Sequence, residues 1–191
     1  AVEYGGHGTA GNDVGDGSLV DLSDPIEAHI NRKLKSPIVV GHSLGGALAL
    51  HLTARGVVDL SGLVLLSPAG LGNTLDISFI NKLPEVEDGA AAHDLLKQLV
   101  VRENLITRRM ADAFVEALDD VARRVALRSI AASLKTVAPP PFPPNIPWTV
   151  LWGDSDAILP PPKQMLAGFH LLANVGHLPQ VEAVDDVVDA I

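Results

Sequence analysis

The 191-residue chain contains no cysteine. That excludes disulfide scaffolds, thiolate zinc sites and cysteine nucleophiles, and it fits a reducing cytoplasm. Basic residues are scarce, 14 Lys and Arg against 23 Asp and Glu, for a net charge of −9. The densest basic group, Arg123, Arg124 and Arg128, follows acidic Asp119 and Asp120. Neither nucleic acid nor an anionic membrane is expected as a partner, because the field of such a chain repels both. No apolar run is long enough to span a bilayer, and no basic stretch leads into an apolar signal-peptide core. No internal repeat is visible. The first residue is Ala1 rather than Met, so the chain is expected to be a piece of something longer. What remains is 47% hydrophobic and 19% charged residues. That composition belongs to a globular chain of one domain, or one domain plus a small insert, with a sizeable core.

Residues 5–18 are rich in Gly, Asn and Asp and read as loop. Pro25 fits the first turn of a helix through Ile26, His29 and Ile30 toward Leu34. The apolar runs at 37–40 and 63–66 read as buried strands, stopped by Gly41 and by Ser67-Pro68. Between them, Leu44 to Ala54 reads as a buried helix ending near Gly56. From 73 to 138 strand signals vanish. Leu95, Leu96, Leu99 and Val100 share one helical face; Met110, Phe114 and Leu118 follow Thr107 as N-cap; Val121, Val125 and Leu134 form a third pattern. Pro139 to Pro147 is a proline-dense hinge. Strands return at 148–152 and 169–173, and Val184, Val187, Val188 and Ile191 show helical spacing. Ala1–Tyr4 reads as a further strand. This order predicts an α/β fold with a mostly parallel sheet. Residues 1–72 and 145–191 form its core, and 73–144 a helical insert with a proline-rich re-entry.

Gly41-His42-Ser43-Leu44-Gly45 matches Gly-x-Ser-x-Gly, the strand–turn–helix elbow that lifts a serine above a sheet. Flanking glycines are expected because a Cβ there would strike the neighbouring strand or helix. Ser43 is then the candidate nucleophile, and the Leu44 amide, at the start of a helix, the candidate oxyanion donor. A serine needs a base and the base an orienting acid, in the chain order Ser, Asp or Glu, His. His177 lies in the loop after the last strand and is favoured as base over His170, which lies inside that strand. Asp156 is favoured as acid over Asp154, which reads as a turn former; the choice between them stays open. All three candidates lie at carboxyl ends of strands, where open α/β sheets place their sites. By strand alternation His42 points away from Ser43 and packs beneath the elbow. His51 reads as structural, His29 and His93 as solvated, and His7 as shaping its turn. No grouping has metal-ligand spacing. Leu44, Leu71, Met110 and Phe114 are candidates to line an acyl pocket.

The Gly-His-Ser-Leu-Gly-Gly (41–46), Trp-Gly-x-x-Asp (152–156) with Pro160, and Gly-His-x-x-Gln (176–180) motifs together resemble the α/β-hydrolase superfamily. Gly6-His7-Gly8 resembles the turn after that fold's fourth strand. Within the superfamily, residues 65–72, 105–110 and 152–160 are similar to the hydrolase-like domain of the acyltransferase (dihydrolipoyllysine-residue acetyltransferase) component of acetoin dehydrogenase complexes. The resemblance implies a Ser43–His177–Asp156 triad inside a hydrolase fold with a helical cap. It also implies acetyl transfer from a lipoyl arm to coenzyme A, both as substrates, with other subunits of such a complex as partners and a homo-oligomer as an option. Carbon–carbon hydrolases and small esterases share parts of these motifs, so a free-standing hydrolase is the alternative. A non-catalytic assembly module is a further one. The family's first three strands have no counterpart here, nor has its loop supplying a second oxyanion amide, and no Asp-Lys-Ala lipoylation site is present. An upstream segment is therefore expected to provide the remaining strands and the second donor, and the 191 residues alone to be unstable or nearly inactive.

Overall fold

The computed structural model describes residues 1–72, 74–135, 141–142 and 144–191. Part of the proline-dense stretch, 136–140 and Pro143, and Asn73 at the start of the insert lie outside them. The helix α1 (Leu19–Lys33) leads into β1 (Ile38–His42), α2 (Leu44–Arg55) and β2 (Gly62–Leu66). Four α-helices follow among the described residues: α3 (Ile77–Lys82), α4 (Gly89–Leu96), α5 (Arg108–Leu118) and α6 (Val121–Leu134). The chain then returns through β3 (Trp148–Gly153), β4 (Phe169–Leu172), α7 (Pro179–Glu182) and α8 (Val184–Asp189).

The sheet has the order β1-β2-β3-β4, and every pair is parallel. Alternation along the strands supplies two faces. Leu63, Leu65, Val150 and Trp152 join α1, α2 and α6 in the main core. Val64, Leu66 and Leu151 pack with Val187 of α8 on the other face. Every residue of β2 is buried, as a central parallel strand requires. β1 departs from the buried strand read from its apolar run. It is an edge strand, with Ile38 51% and Val40 44% exposed. An apolar run marks a strand without saying whether both edges are paired. Ala1–Tyr4 forms no strand, so among the described residues nothing pairs with the outer edge of β1.

Helix α1 begins earlier than the proline implied. Ser18 is its N-cap and accepts from the Asp21 amide at 3.3 Å. Pro25 therefore lies inside the helix on its exposed face, where the carbonyl it leaves unbonded can face water. The helices of the insert are capped by Asp76, Asp88, Thr107 and Asp120, each accepting a backbone amide of the first turn. They enclose a second core of Phe79, Ala92, Leu95, Ala111 and Leu118, which Ile158 of the loop after β3 joins. The α6 stripe is not the one the valines suggested. Val121 and Val125 are exposed, and Ala126, Ile130 and Ala131 are buried. Small alanines let α6 approach the main core closely, which the larger residues on the other face could not. Among the described residues, no helix is long and apolar enough to cross a membrane.

Candidate active site

Ser43 sits between β1 and α2 with φ 50° and ψ −117°. A non-glycine residue there is strained by roughly 1–3 kcal/mol. Two backbone bonds hold the turn against its neighbour: the Ser43 amide donates to Leu66 O at 2.9 Å, and Ser43 O accepts from Ala69 N at 2.9 Å. A Cβ on Gly41 would come within 2.7 Å of Gly45 O and 2.8 Å of Gly46 Cα, so only glycine fits. Gly45 differs from expectation, because a Cβ built there meets nothing within 4 Å. The second constrained position is Gly46, whose Cβ would lie 2.7 Å from that of Pro68. The sequence rule named the wrong glycine because α2 leaves the sheet over Pro68, a contact made by its third residue.

The Ser43 hydroxyl does not cap α2. It lies 3.0 Å from His177 Nε2, and His177 Nδ1 lies 2.8 Å from Asp156 Oδ2. Asp156 and His177 are 3% and 4% exposed. The other carboxylate oxygen of Asp156 accepts from Ile158 N at 3.0 Å and Leu159 N at 2.8 Å. An ionised carboxylate so held accepts the Nδ1–H, leaving the Nε2 lone pair for the serine hydroxyl. The Trp152 indole donates to Leu159 O at 2.9 Å and so anchors the loop that carries Asp156. Asp154 is exposed and points elsewhere. It accepts from Asn174 N at 2.9 Å and from the Ser155 hydroxyl at 2.7 Å. His170 is exposed on the edge strand β4. The Leu44 amide opens α2 beside Ser43.

His42 does not point away from the site. Its Nε2–H donates to the His177 carbonyl at 2.7 Å, and the two rings lie 5.0 Å apart. Alternation holds only while the chain remains a strand, and the positive φ at Ser43 ends it. Burial, with a smaller contribution from His177, pushes the His42 pKa down to about 4. Nor is His93 solvated: its Nε2–H donates to Ile106 O at 2.9 Å and ties α4 to the segment before α5. His29 is exposed. His51 is partly buried in α2. The His7 ring lies 4.4 Å from that of Tyr4, and its Nδ1 is 3.2 Å from Gly5 O.

A cavity of about 280 Å³ opens beside Ser43 and Leu44, between the main core and the insert. Leu75, Ile80, Leu83, Leu127, Ile130 and Leu134 form much of its wall, and among the described residues no Asp, Glu, Lys or Arg lines it. Of the pocket candidates only Leu44 lines it. Leu71 packs on the main core, Phe114 packs in the insert core, and Met110 is 44% exposed. The cause is the stacking of α5 on α4, which sets its stripe away from Ser43 while α3 and α6 face it. Among the described residues, no three His, Cys, Asp or Glu side chains converge as metal ligands.

A family model described as "Alpha/beta hydrolase family" matches residues 4–190. Among curated proteins, the chain is 26% identical over 196 residues to the dihydrolipoyllysine-residue acetyltransferase component of the acetoin cleaving system of Pseudomonas putida. That match covers 98% of this chain and 53% of the relative, so the chain spans about half the relative's length. Among solved structures, 2-hydroxy-6-oxo-6-phenylhexa-2,4-dienoate hydrolase from a Rhodococcus strain is similar with a TM-score of 0.78 at 18% identity. It is covered to 74% by 96% of this chain. An esterase from Exiguobacterium antarcticum is similar with a TM-score of 0.74 at 18% identity, over 99% of this chain and 78% of its own. At such identities these two likenesses speak for the fold alone.

Proposed function

This chain belongs to the alpha/beta hydrolase family, and from that premise we propose that it performs serine-dependent acyl chemistry. The observation that carries the reading is the continuous chain of contacts from Ser43 Oγ to His177 at 3.0 Å and on to Asp156 at 2.8 Å. In the proposed reaction Ser43 Oγ bonds to the acyl carbonyl carbon while His177 Nε2 takes its proton. Asp156 holds the imidazole in the tautomer that can accept, and steadies the imidazolium once formed. The Leu44 amide faces the developing oxyanion. Collapse breaks the bond to the leaving group, which receives the proton from His177. A second acceptor, deprotonated by the same imidazole, then takes the acyl group from Ser43.

The acceptor divides two readings. The likeness to the acetoin-system component supports coenzyme A as acceptor and an acetyl-lipoyl arm as donor, beside other subunits of such a complex. The cavity supports hydrolysis of a larger ester. An apolar cavity of about 150 Å³ already holds a benzene ring, and this one measures about 280 Å³ with no Asp, Glu, Lys or Arg among the described residues of its wall. A carboxylate-bearing substrate such as the hexadienoate named for one structural neighbour finds no Lys or Arg among the described residues there. A non-catalytic assembly role is the reading that the Ser43–His177–Asp156 contacts oppose.

The test is labelling of Ser43 by a fluorophosphonate, followed by turnover of acyl thioesters and esters with and without coenzyme A. Labelling lost in Ser43→Ala supports the reading, and no labelling of the wild type sinks it. Asp156→Asn should remain folded and lose roughly 10³–10⁴-fold in turnover, whereas Asp154→Asn should stay within a few-fold of wild type. A larger loss from Asp154→Asn would reverse the choice of acid.

A further inference from the structure

Glu182 is the last residue of α7, and its side chain is 0% exposed. A buried carboxylate is costly unless it is fully bonded, and this one is bonded in an unusual place. One oxygen, Oε2, accepts from Gly176 N at 2.7 Å, one residue before His177. The other, Oε1, accepts from Val101 N at 3.0 Å and Arg102 N at 2.8 Å, in the segment between α4 and α5. The Arg102 guanidinium also donates to the Glu182 carbonyl. One carboxylate thus joins two loops that are about 75 residues apart in the chain and share no strand or helix.

The joint is tight on both sides. The His177 amide donates to Leu99 O at 2.8 Å, and the His177 carbonyl accepts from His42. A Cβ on Gly176 would lie 2.8 Å from Leu99 O and 2.9 Å from Val100 Cα, so the two backbones touch. The Ser43–His177–Asp156 chain makes no use of Glu182. Yet the position of the imidazole relative to Ser43 depends on the backbone that Glu182 and residues 99–102 hold.

We infer that Glu182 is a positioning residue for His177: its carboxylate fixes the base's loop against the helical insert, so that Nε2 stays within hydrogen-bond reach of Ser43. The inference rests on the proposed acyl chemistry. Displacement of a reacting group by about 1 Å can cost roughly 10²-fold in rate, so the geometry of this loop is a kinetic quantity.

Glu182→Gln is the discriminating variant. The amide has the same shape, but only one oxygen. Its NH₂ must face either the Gly176 amide or the Val101 and Arg102 amides, donor against donor. In the full chain, active sites are titrated with a fluorophosphonate, and turnover of a p-nitrophenyl ester is expressed per titrated site. The expected result is a fall in kcat per site of about tenfold or more, with KM within about twofold of wild type. The rate of phosphonylation should fall in parallel. A purely structural role would lower the melting temperature and the number of titratable sites but leave turnover per site unchanged; that result overturns the inference. Glu182→Asp keeps the charge but is one methylene too short to reach both loops, and it serves if Glu182→Gln does not fold. It should show the same loss per site, and wild-type turnover per site in it would overturn the inference. If neither variant folds, Glu182 is a folding residue and the inference falls. A wild type that takes no label at Ser43 removes the acyl reading, and this inference with it, which separates the two failures.

Discussion

His42 shows how a single side chain can serve the elbow without being its nucleophile. Its ring is held neutral by burial, and its Nε2–H supports the His177 carbonyl. The folded-state pKa, about 4, is below the ordinary value of 6.5. The unfolded chain therefore binds the proton more readily, and the contribution of neutral His42 is fully present above pH 6.5. It is lost as the pH falls through the window from 6.5 to about 4. Melting temperatures of the wild type should therefore decline across that window more steeply than those of His42→Gln, which has no imidazole to protonate. Parallel pH profiles for the two proteins would show that His42 is not buried neutral. Ser43 carries the complementary burden, a strained φ that aims its hydroxyl past its own helix and toward His177.

The turn from β1 into α2 makes separate demands on two adjacent glycines. Gly46 is pressed against Pro68, whereas Gly45 faces open space. Gly46→Ala should destabilise the fold by about 1–3 kcal/mol through overpacking. Gly45→Ala should be neutral or stabilising by up to about 1 kcal/mol, since alanine costs less than glycine to order in a helix. Denaturant unfolding of the two variants checks the pair, and equal destabilisation would show that Gly45 also has a close neighbour. The loops at the other strand ends follow a similar logic of small, specific ties. Trp152 anchors the loop of Asp156, and Glu182 anchors the loop of His177. The three members of the candidate site thus sit after three different strands: Ser43 is tied to Leu66 and Ala69, the Asp156 loop to Trp152 of the strand before it, and the His177 loop, through Glu182, to residues 101 and 102.

The two cores of the molecule meet at the cavity. Its floor is the elbow, and its wall comes from α3 and α6 of the insert. Substrate size is consequently a property of the interface between the two cores. Ile80→Trp should fill part of the 280 Å³ and lower turnover of hexanoyl or octanoyl esters by about tenfold, leaving acetyl esters within about twofold. Chain-length profiles of the two proteins test this, and an equal loss on all esters would place the acyl group elsewhere. The two readings of the acceptor separate along the same axis, since an acetyl group leaves most of the cavity unfilled.

The elements whose signals are local can be read along the chain. Gly-x-Ser-x-Gly between an apolar run and an Ala/Leu-rich stretch specifies a strand, a strained turn and a helix, because the constraint acts within about six residues. The parallel sheet follows from apolar runs separated by helices, and the candidate acid and base follow from their places just past strands. Which strand is an edge, which insert helices face Ser43, and what holds His177 in place emerge with the packing of the folded chain. Those depend on pairs such as Glu182 with Val101 and Gly46 with Pro68, and on Ile80 lining the same cavity as the elbow. Each pair is made through space by segments with no periodic relation, so no pattern along the chain encodes it.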